Sequence, residues 1–311
     1  MSGLPPDHDV RMQRALVSLA GLSVGDAFGE RFFGPPGLAQ SLIGQRKAPP
    51  PKWSWTDDTA MALSVVEVLA RHGRIDQDDL AACFARRHAE EPMRGYGAGA
   101  RQILSSIDAG VAWRIAAAEP FGAMGSHGNG GAMRVAPLGA YFADDVDRLV
   151  AEAMLSAQVT HQHPEGQAGA VAAALGAAYA WQRGHTPDLV AGKSLLELVE
   201  ARTPPGEVRL GLRQALAMPP STSVEHAASV LGSGYAVIAQ DTVPFCVWVA
   251  SKFIESYEEA LWQTVSALGD RDTTCAIVGG MVVLHAGLAS IPERWLVSRE
   301  GLPLAFKPGP R

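Results

Sequence analysis

Hydrophobic residues recur along the chain at intervals of three and four, the spacing that places side chains on one face of an α-helix. One set runs from Met12 to Leu19, and others run from Ala62 to Leu69 and from Ile103 to Ile107. No segment of alternating apolar and polar residues stands out as a strand. The pattern predicts an all-α fold of many helices.

Residues that start and stop helices fall between these apolar sets. Asp76 is followed three residues later by Asp79, and Ser256 is followed in the same way by Glu259. Both pairs are typical of helix N-termini. Helices are expected to end at glycine, and three glycines suit this role, at positions 73, 184 and 269.

Two longer stretches interrupt the helical rhythm. Gln45–Trp53 contains three consecutive prolines and Glu119–Gly131 contains five glycines, so we predict an ordered loop in each. Neither stretch is long or polar enough to link two domains, and no internal repeat is evident. We therefore predict one domain over residues 1–311, a compact orthogonal bundle of helices with its core at about 11–290.

Composition supports a folded chain with a large core, since 47% of the 311 residues are hydrophobic and 19% are charged. A net charge of -6 disfavours an extended nucleic-acid-binding face. Three widely spaced cysteines indicate neither a disulfide framework nor a zinc knuckle. The first residues do not resemble a signal peptide, and no uncharged apolar stretch reaches about 18 residues. We expect no membrane segment and a cytoplasmic location.

The first of two acidic segments, Trp55–Thr59, lies just before a helix predicted over Ala60–Arg71. One carboxylate there would serve as a helix N-cap, which is the simpler interpretation. Two adjacent carboxylates, Asp57 and Asp58, repel each other unless a cation lies between them, and hard divalent ions prefer such oxygen ligands. Both interpretations stay open for this segment alone.

The second acidic segment, Gly269–Thr274, joins a helix predicted over Ser256–Leu268 to one predicted from Thr274 onward. Its Asp270 and Asp272 could cap that helix or bind a cation. A phosphohydrolase motif with a nucleophilic aspartate is disfavoured, because the preceding residues have helical rather than strand spacing. The two segments together are more informative, since a two-metal site needs carboxylates from separate elements.

A glycine-rich loop and two turns complete the candidate chemistry. Ser126–Gly131 could present backbone amides to a phosphate or be a structural turn, and it matches neither a P-loop nor a dinucleotide-binding motif. His161 and His163 lack a third nitrogen or sulfur ligand for zinc, so we interpret His161 as a ligand contact. Tyr235 follows a flexible turn and could stack on a base or pack in the core.

Six segments, in order, resemble the motif series of the ADP-ribosylglycohydrolase family: GLSVGDAFGE at 21–30, WTDDT at 55–59, GNGGAMRVAP at 128–137, TH at 160–161, GSGYA at 232–236 and GDRDTT at 269–274. The resemblance covers about residues 11–290. It implies an all-α fold, a centre of two divalent cations, Mg²⁺ or Mn²⁺, and hydrolysis of the glycosidic bond between ADP-ribose and a modified target. That target could be a protein, a nucleic acid or a small molecule.

The resemblance also implies roles for individual residues. The residues that match metal ligands are Thr56, Asp57, Asp58, Asp270, Asp272 and Thr273. Those that match contacts to the pyrophosphate and distal ribose are Ser126, Gly128, Asn129, Gly130 and Gly131. His161 matches a ligand-contacting histidine, Tyr235 a position beside the adenine, and Glu30 the glutamate of a mobile flap near the metals.

One departure concerns the proton-transfer group. The nitrogen-regulatory members of the family carry an aspartate where this chain has Arg94–Gly97. We therefore assign proton transfer to Glu30, or to a water activated by Asp57 or Asp272. The glycines and prolines around Glu30 predict a hinged loop. The alternative for the whole chain is a non-catalytic binder of ADP-ribose or nucleotides, or a structural relative, which would have no physical reason to keep the acidic residues.

Overall fold

The structure is a computed structural model and describes residues 4–303 and 305. Within these residues the regular elements are all helical, apart from two isolated backbone bridges, which confirms the all-α prediction. None of these helices is long and apolar enough to cross a membrane. The ends of the predicted domain, residues 1–3, 304 and 306–311, lie outside the described residues.

The α-helices are α1 (His8–Glu30), α2 (Pro36–Gly44), α3 (Asp57–His72), α4 (Gln77–Glu90), α5 (Ala98–Asp108), α6 (Trp113–Ala118), α7 (Pro120–Ala123), α8 (Gly130–Met133), α9 (Ala136–Tyr141), α10 (Val146–Gln158), α11 (Pro164–His185), α12 (Leu195–Arg202), α13 (Glu207–Ala217), α14 (Val224–Leu231), α15 (Ala239–Lys252), α16 (Tyr257–Ser266), α17 (Arg271–Ala286) and α18 (Glu293–Ser298). Two short 3₁₀ turns span Pro187–Val190 and Leu288–Ser290. Helices α1, α11 and α17 are buried along most of their length and form the centre of the fold.

Helices α1 and α17 pack in direct backbone contact, and glycines make this possible. Gly21, Gly25 and Gly29 lie four residues apart, on one face of α1. A methyl group on Gly25 would fall 2.1 Å from the carbonyl oxygen of Cys275, and one on Gly29 would fall 2.1 Å from that of Arg271. The C-terminal half of α1 is thereby brought beside the first turn of α17.

The prediction that Glu30 belongs to a hinged loop is wrong. Helix α1 continues without a break to Glu30, and the connecting turn begins at Arg31. Glycine weakens a helix interior by about 0.5–1 kcal/mol relative to alanine. Here the close contact with α17 offsets that cost, because a larger side chain would separate the two helices.

The two acidic segments begin their helices three residues earlier than predicted. Helix α3 starts at Asp57 rather than Ala60, and α17 starts at Arg271 rather than Thr274. Some of the acidic side chains therefore belong to the first helical turn. Helix N-termini favour negative charge, so the carboxylates extend these helices.

The predicted helix caps have mixed outcomes. Gly73 ends α3 in the left-handed conformation, and Asp76 and Ser256 each accept a hydrogen bond from the amide three residues on, as predicted. Gly184 does not end a helix, because α11 continues for one more residue. Helix α16 ends at Ser266, before the predicted end at Leu268, and Gly269 follows after a short turn rather than directly ending the helix.

The two predicted loops also differ. Gln45–Trp53 contains no regular helix, and Trp53 pairs through backbone hydrogen bonds with Ser298 and Glu300. Glu119–Gly131 is less irregular than predicted, since it includes the single turn α7 and the first residues of α8. This second loop borders the cavity described next.

Candidate active site

The first acidic segment is held in place by Asp26, a fully buried residue of α1. Its Oδ1 accepts a hydrogen bond from the Thr56 hydroxyl at 2.8 Å, and its Oδ2 accepts the backbone amides of Thr56 and Thr59 at 2.9 and 3.1 Å. Burial raises the pKa of Asp26 to about 6, although the hydrogen bonds from both threonines oppose the shift. Asp26 therefore fixes the turn that carries Asp57 and Asp58.

The two acidic segments lie together, as a shared site requires. The Thr273 hydroxyl is 3.5 Å from Oδ2 of Asp58, although 215 residues separate them in the sequence. Burial, and then the charge of Asp272, raise the pKa of Asp58 well above its ordinary value. Burial and the charge of Asp270 do the same for Asp272. Each carboxylate therefore increases the free energy needed to ionise its neighbours.

Asp57, Asp58, Asp270 and Asp272 form what we call the acidic cluster, and their carboxylate oxygens suit a hard divalent cation. Asp58 is only 1% exposed, and its Oδ1 has no hydrogen-bond partner among the described residues. Burial, reinforced by Asp26, raises the pKa of Asp57 to about 7. A cation would compensate these buried charges. Within residues 4–303 and 305, no group of three or more His, Cys, Asp or Glu side chains is arranged so that it could hold a metal ion, and the two metals stay a prediction.

A cavity of about 610 Å³ opens over the acidic cluster. Ten of the residues named from the sequence line it: Asp57, Asp58, Asp270, Asp272, Thr273, Ser126, Gly128, Asn129, Gly130 and His161. Another part of the wall consists of the small residues Gly95, Gly97, Ala98, Gly99 and Ala100. The fold thereby brings both acidic segments, the glycine-rich loop and the histidine to one space.

Four other predicted residues lie outside this lining, and one of them, Glu30, is described in the next paragraph. The Thr56 hydroxyl donates a hydrogen bond to Asp26, and Gly131 is buried in the single turn α8. Tyr235 is 88% exposed and lies next to the cavity-lining segment 236–238. Its contact with the adenine stays a prediction.

Glu30 lines a second cavity of about 540 Å³, together with Thr56, Met93 and Gly95. Gly95 borders both cavities. The Glu30 side chain is half-buried, and burial followed by the charge of Asp26 raises its pKa. Glu30 is therefore electrostatically coupled to the acidic cluster from a neighbouring compartment.

The glycine-rich loop is held by backbone pairing with the start of α15. The Asn129 amide donates to the carbonyl oxygen of Val237 at 3.3 Å, and the Ala239 amide donates to that of His127 at 3.0 Å. The side-chain amide of Asn129 donates to Asp270 Oδ2 at 2.7 Å. This last bond joins the loop directly to the second acidic segment.

Glycine allows the loop to approach His161 closely. A methyl group on Gly128 would lie 3.2 Å from His161 Nε2, and one on Gly130 would lie 2.9 Å from Cε1. Ser126 stabilises the turn, because its hydroxyl accepts the Gly128 amide at 3.1 Å. Backbone atoms and the histidine ring therefore form this wall of the cavity.

Two aromatic side chains that line the cavity were not singled out from the sequence. The rings of Phe121 and His127 stack with centroids 5.3 Å apart and planes 30° apart, and both line the cavity. Phe121 is 54% exposed, so one flat apolar surface faces solvent at the cavity mouth. From the sequence alone, an aromatic residue that lines a cavity in such a loop cannot be distinguished from one that packs in the core.

Comparisons with known proteins find similarity across nearly the whole chain. A family model described as ADP-ribosylglycohydrolase matches residues 7–305. ADP-ribosylhydrolase ARH3 of Homo sapiens is 32% identical over 277 residues, which cover 79% of this chain and 75% of that protein. ADP-ribosyl-(dinitrogen reductase) glycohydrolase of Rhodospirillum rubrum is 27% identical over 302 residues, with coverage of 94% and 90%. A solved structure described as an ADP-ribosylglycohydrolase-related protein complex superposes with a TM-score of 0.65 at 26% identity, covering 93% of each chain.

Proposed function

The chain belongs to the ADP-ribosylglycohydrolase family, and we propose that it hydrolyses the glycosidic bond between ADP-ribose and a modified target, which reverses ADP-ribosylation. The observation that carries this proposal is the single cavity shared by the two acidic segments, the glycine-rich loop and His161. Its volume is in the range of small-molecule sites. The names of two relatives describe removal of ADP-ribosyl groups, in one case from dinitrogen reductase.

The proposal includes two divalent cations, Mg²⁺ or Mn²⁺, in the acidic cluster. The residues that would hold them are Thr56, Asp57, Asp58, Asp270, Asp272 and Thr273. The buried Oδ1 of Asp58, which has no hydrogen-bond partner in the part of the chain that the structure describes, supports this assignment. Such ions, when bound, hold sugar hydroxyls in place and stabilise negative charge as a bond breaks.

Side chains in and around the acidic cluster would activate water, hold the diphosphate and transfer a proton. Glycoside hydrolysis passes through a state with positive charge on the sugar carbon. Asp57 and Asp272 line the cavity, and their carboxylates would activate the water that attacks this carbon. Asn129 is fixed by Asp270, so the loop it belongs to would hold the diphosphate at a set distance from the acids. Glu30 would move the proton between the leaving group and water.

Glu30→Gln should lower turnover by about 10²-fold, because glutamine keeps the size of the side chain but cannot transfer a proton. Affinity for ADP-ribose should stay within about threefold, since the main cavity is unchanged. Glu90→Gln is the matched control, because Glu90 lines the same second cavity as Glu30 and should keep normal turnover. Steady-state rates and calorimetry of ADP-ribose binding measure both effects. Normal turnover in Glu30→Gln would move the proton transfer to Asp57 or Asp272.

Phe121→Ala should weaken ADP-ribose binding by about tenfold. Stacking of a base on an aromatic ring contributes about 1–3 kcal/mol, and about 1.4 kcal/mol corresponds to tenfold in affinity. Tyr235 lies at the exposed rim, where we propose an outer contact with the adenine, so Tyr235→Ala should cost about two- to threefold. Leu189→Ala, at an exposed position outside the cavity, should change nothing. A larger loss in Tyr235→Ala than in Phe121→Ala would make Tyr235 the main adenine partner.

The proposed function is tested by incubating the full chain with substrates that carry ADP-ribose on arginine, on serine, on a nucleic acid and on small molecules. Each substrate is tested with Mg²⁺, with Mn²⁺ and with a chelator. We expect free ADP-ribose from at least one linkage, and only when metal is present. Tight binding of ADP-ribose without release from any substrate would identify a non-catalytic binder instead.

A further inference from the structure

A fully buried arginine lies behind the cavity wall. Arg134 has no exposed surface, and its Nη2 donates to the Ser156 carbonyl oxygen and to the Thr160 hydroxyl, both at 2.9 Å. Its guanidinium lies 4.4 Å from the centre of the Phe84 ring. Burial lowers the pKa of Arg134 to about 9, so the group stays charged at neutral pH. Burying a cation costs free energy that hydrogen bonds to neutral groups offset only in part.

The Thr160 hydroxyl continues the hydrogen-bond chain to His161. Thr160 Oγ1 lies 2.7 Å from Nδ1 of His161. Arginine can only donate, so Arg134 occupies a lone pair of Oγ1 and leaves the hydroxyl hydrogen available. Among the described residues, His161 is the remaining hydrogen-bond partner of this hydroxyl. An unused O–H in a buried position is unfavourable, and we conclude that Thr160 donates to Nδ1.

Because Thr160 donates to Nδ1, the tautomer of the His161 imidazole is determined. A neutral ring whose Nδ1 accepts a hydrogen bond carries its own proton on Nε2. Burial, and then the charge of Arg134, lower the pKa of His161 to about 3, so the ring is neutral. Its Nε2 faces the glycine-rich loop, since a methyl group in place of a hydrogen on Gly128 or Gly130 would lie only 3.2 or 3.1 Å from it. The N–H therefore lies on the cavity side of the ring.

We propose that Arg134 and Thr160 are positioning residues that hold His161 as its Nε2–H tautomer, so that it donates a hydrogen bond to an anionic oxygen of the ligand. The ligand is the diphosphate of ADP-ribose, and to that extent the inference rests on the proposed function. In this series of hydrogen bonds from Arg134 through Thr160 to His161, each donor strengthens the next one. The buried cation thereby polarises the His161 N–H in the cavity, although no charged side chain is exposed there.

The test compares two changes at Thr160. Thr160→Val keeps the shape of the side chain and removes the hydroxyl, so the Kd for ADP-ribose should rise about tenfold. Thr160→Ser restores the hydroxyl and should bind within about threefold of the unmodified chain. Thr264→Val is the matched control, because it removes a buried hydroxyl that donates to the Ala260 carbonyl inside α16, and it should bind normally.

Nitrogen-15 NMR of the histidine-labelled full chain reads the tautomer directly, with the His161 signals identified by their loss in His161→Gln. We expect a protonated Nε2 and an unprotonated Nδ1 in the unmodified chain and in Thr160→Ser, and loss of this preference in Thr160→Val. A protonated Nδ1 in the unmodified chain, or normal ADP-ribose affinity in Thr160→Val, would overturn the proposal. If the unmodified chain does not bind ADP-ribose, the proposed function fails, and the spectra alone then decide the tautomer.

Discussion

Asp58→Asn should abolish glycohydrolase activity while the fold stays intact. The Oδ1 of Asp58 is buried and has no hydrogen-bond partner within residues 4–303 and 305. Its Oδ2 lies 3.0 Å from the Thr56 hydroxyl and 3.5 Å from that of Thr273. Asparagine fits this space but brings no negative charge for a cation. Charge stabilisation at such centres is worth several kcal/mol, and we expect turnover to fall by about 10³-fold or more.

The same variant should lose metal binding and keep the stability of the fold. Asp58 raises the cost of ionising its neighbours, so in chelator Asp58→Asn should melt at the same or a higher temperature than the unmodified chain. The rise in melting temperature on adding Mg²⁺ or Mn²⁺ should disappear. Asp145→Asn is the control, because Asp145 caps α10 and asparagine caps a helix equally well. If Asp58→Asn kept more than a tenth of normal turnover, the acidic cluster would not be the catalytic centre.

The helices were predictable because their signals are local. Apolar residues three and four positions apart, and caps such as Asp76 and Gly73, depend only on near neighbours in the chain. Glycines behave differently. Gly25 and Gly29 suggested a loop around Glu30, but in the structure they allow contact with Cys275 and Arg271. The neighbouring residues in the sequence do not show whether a glycine ends a helix or allows close packing against a helix that is distant in the sequence.

The acidic residues of the site were predictable for a chemical reason. Pairs of neighbouring carboxylates such as Asp57 and Asp58 are unfavourable without a cation, so their presence points to one. Their partners are not recognisable in this way. Asp26 is a single carboxylate in an apolar helix, and its hydrogen bonds reach residues 30 and 33 positions further on. Phe121 is an ordinary aromatic residue until the fold places it at the cavity mouth.

Asp26→Asn should weaken metal binding by about 10- to 100-fold, the effect typical of residues that orient metal ligands. Both oxygens of Asp26 accept hydrogen bonds, Oδ1 from the Thr56 hydroxyl and Oδ2 from the amides of Thr56 and Thr59 and from the Thr59 hydroxyl. An asparagine side chain has one accepting oxygen, so its NH₂ group must face at least one of these donors. The arrangement that satisfies the amides turns the NH₂ towards the Thr56 hydroxyl, which then accepts and has less electron density to offer a cation.

The Asn variant should also lose about 1–3 kcal/mol of stability, because a buried set of donors is left partly unsatisfied. Denaturant unfolding measures this loss, and calorimetric titration with Mn²⁺ measures the metal affinity. Ser18→Ala provides the comparison on the same helix: it removes a buried hydroxyl that donates to the Gly280 carbonyl oxygen, at a cost of about 1 kcal/mol. Its Mn²⁺ affinity should be normal, because Ser18 has no bond to the acidic segments. Equal Mn²⁺ affinities in Asp26→Asn and Ser18→Ala would mean that Asp26 supports the fold alone, whereas a selective loss in Asp26→Asn would show that α1 sets the geometry of the metal ligands.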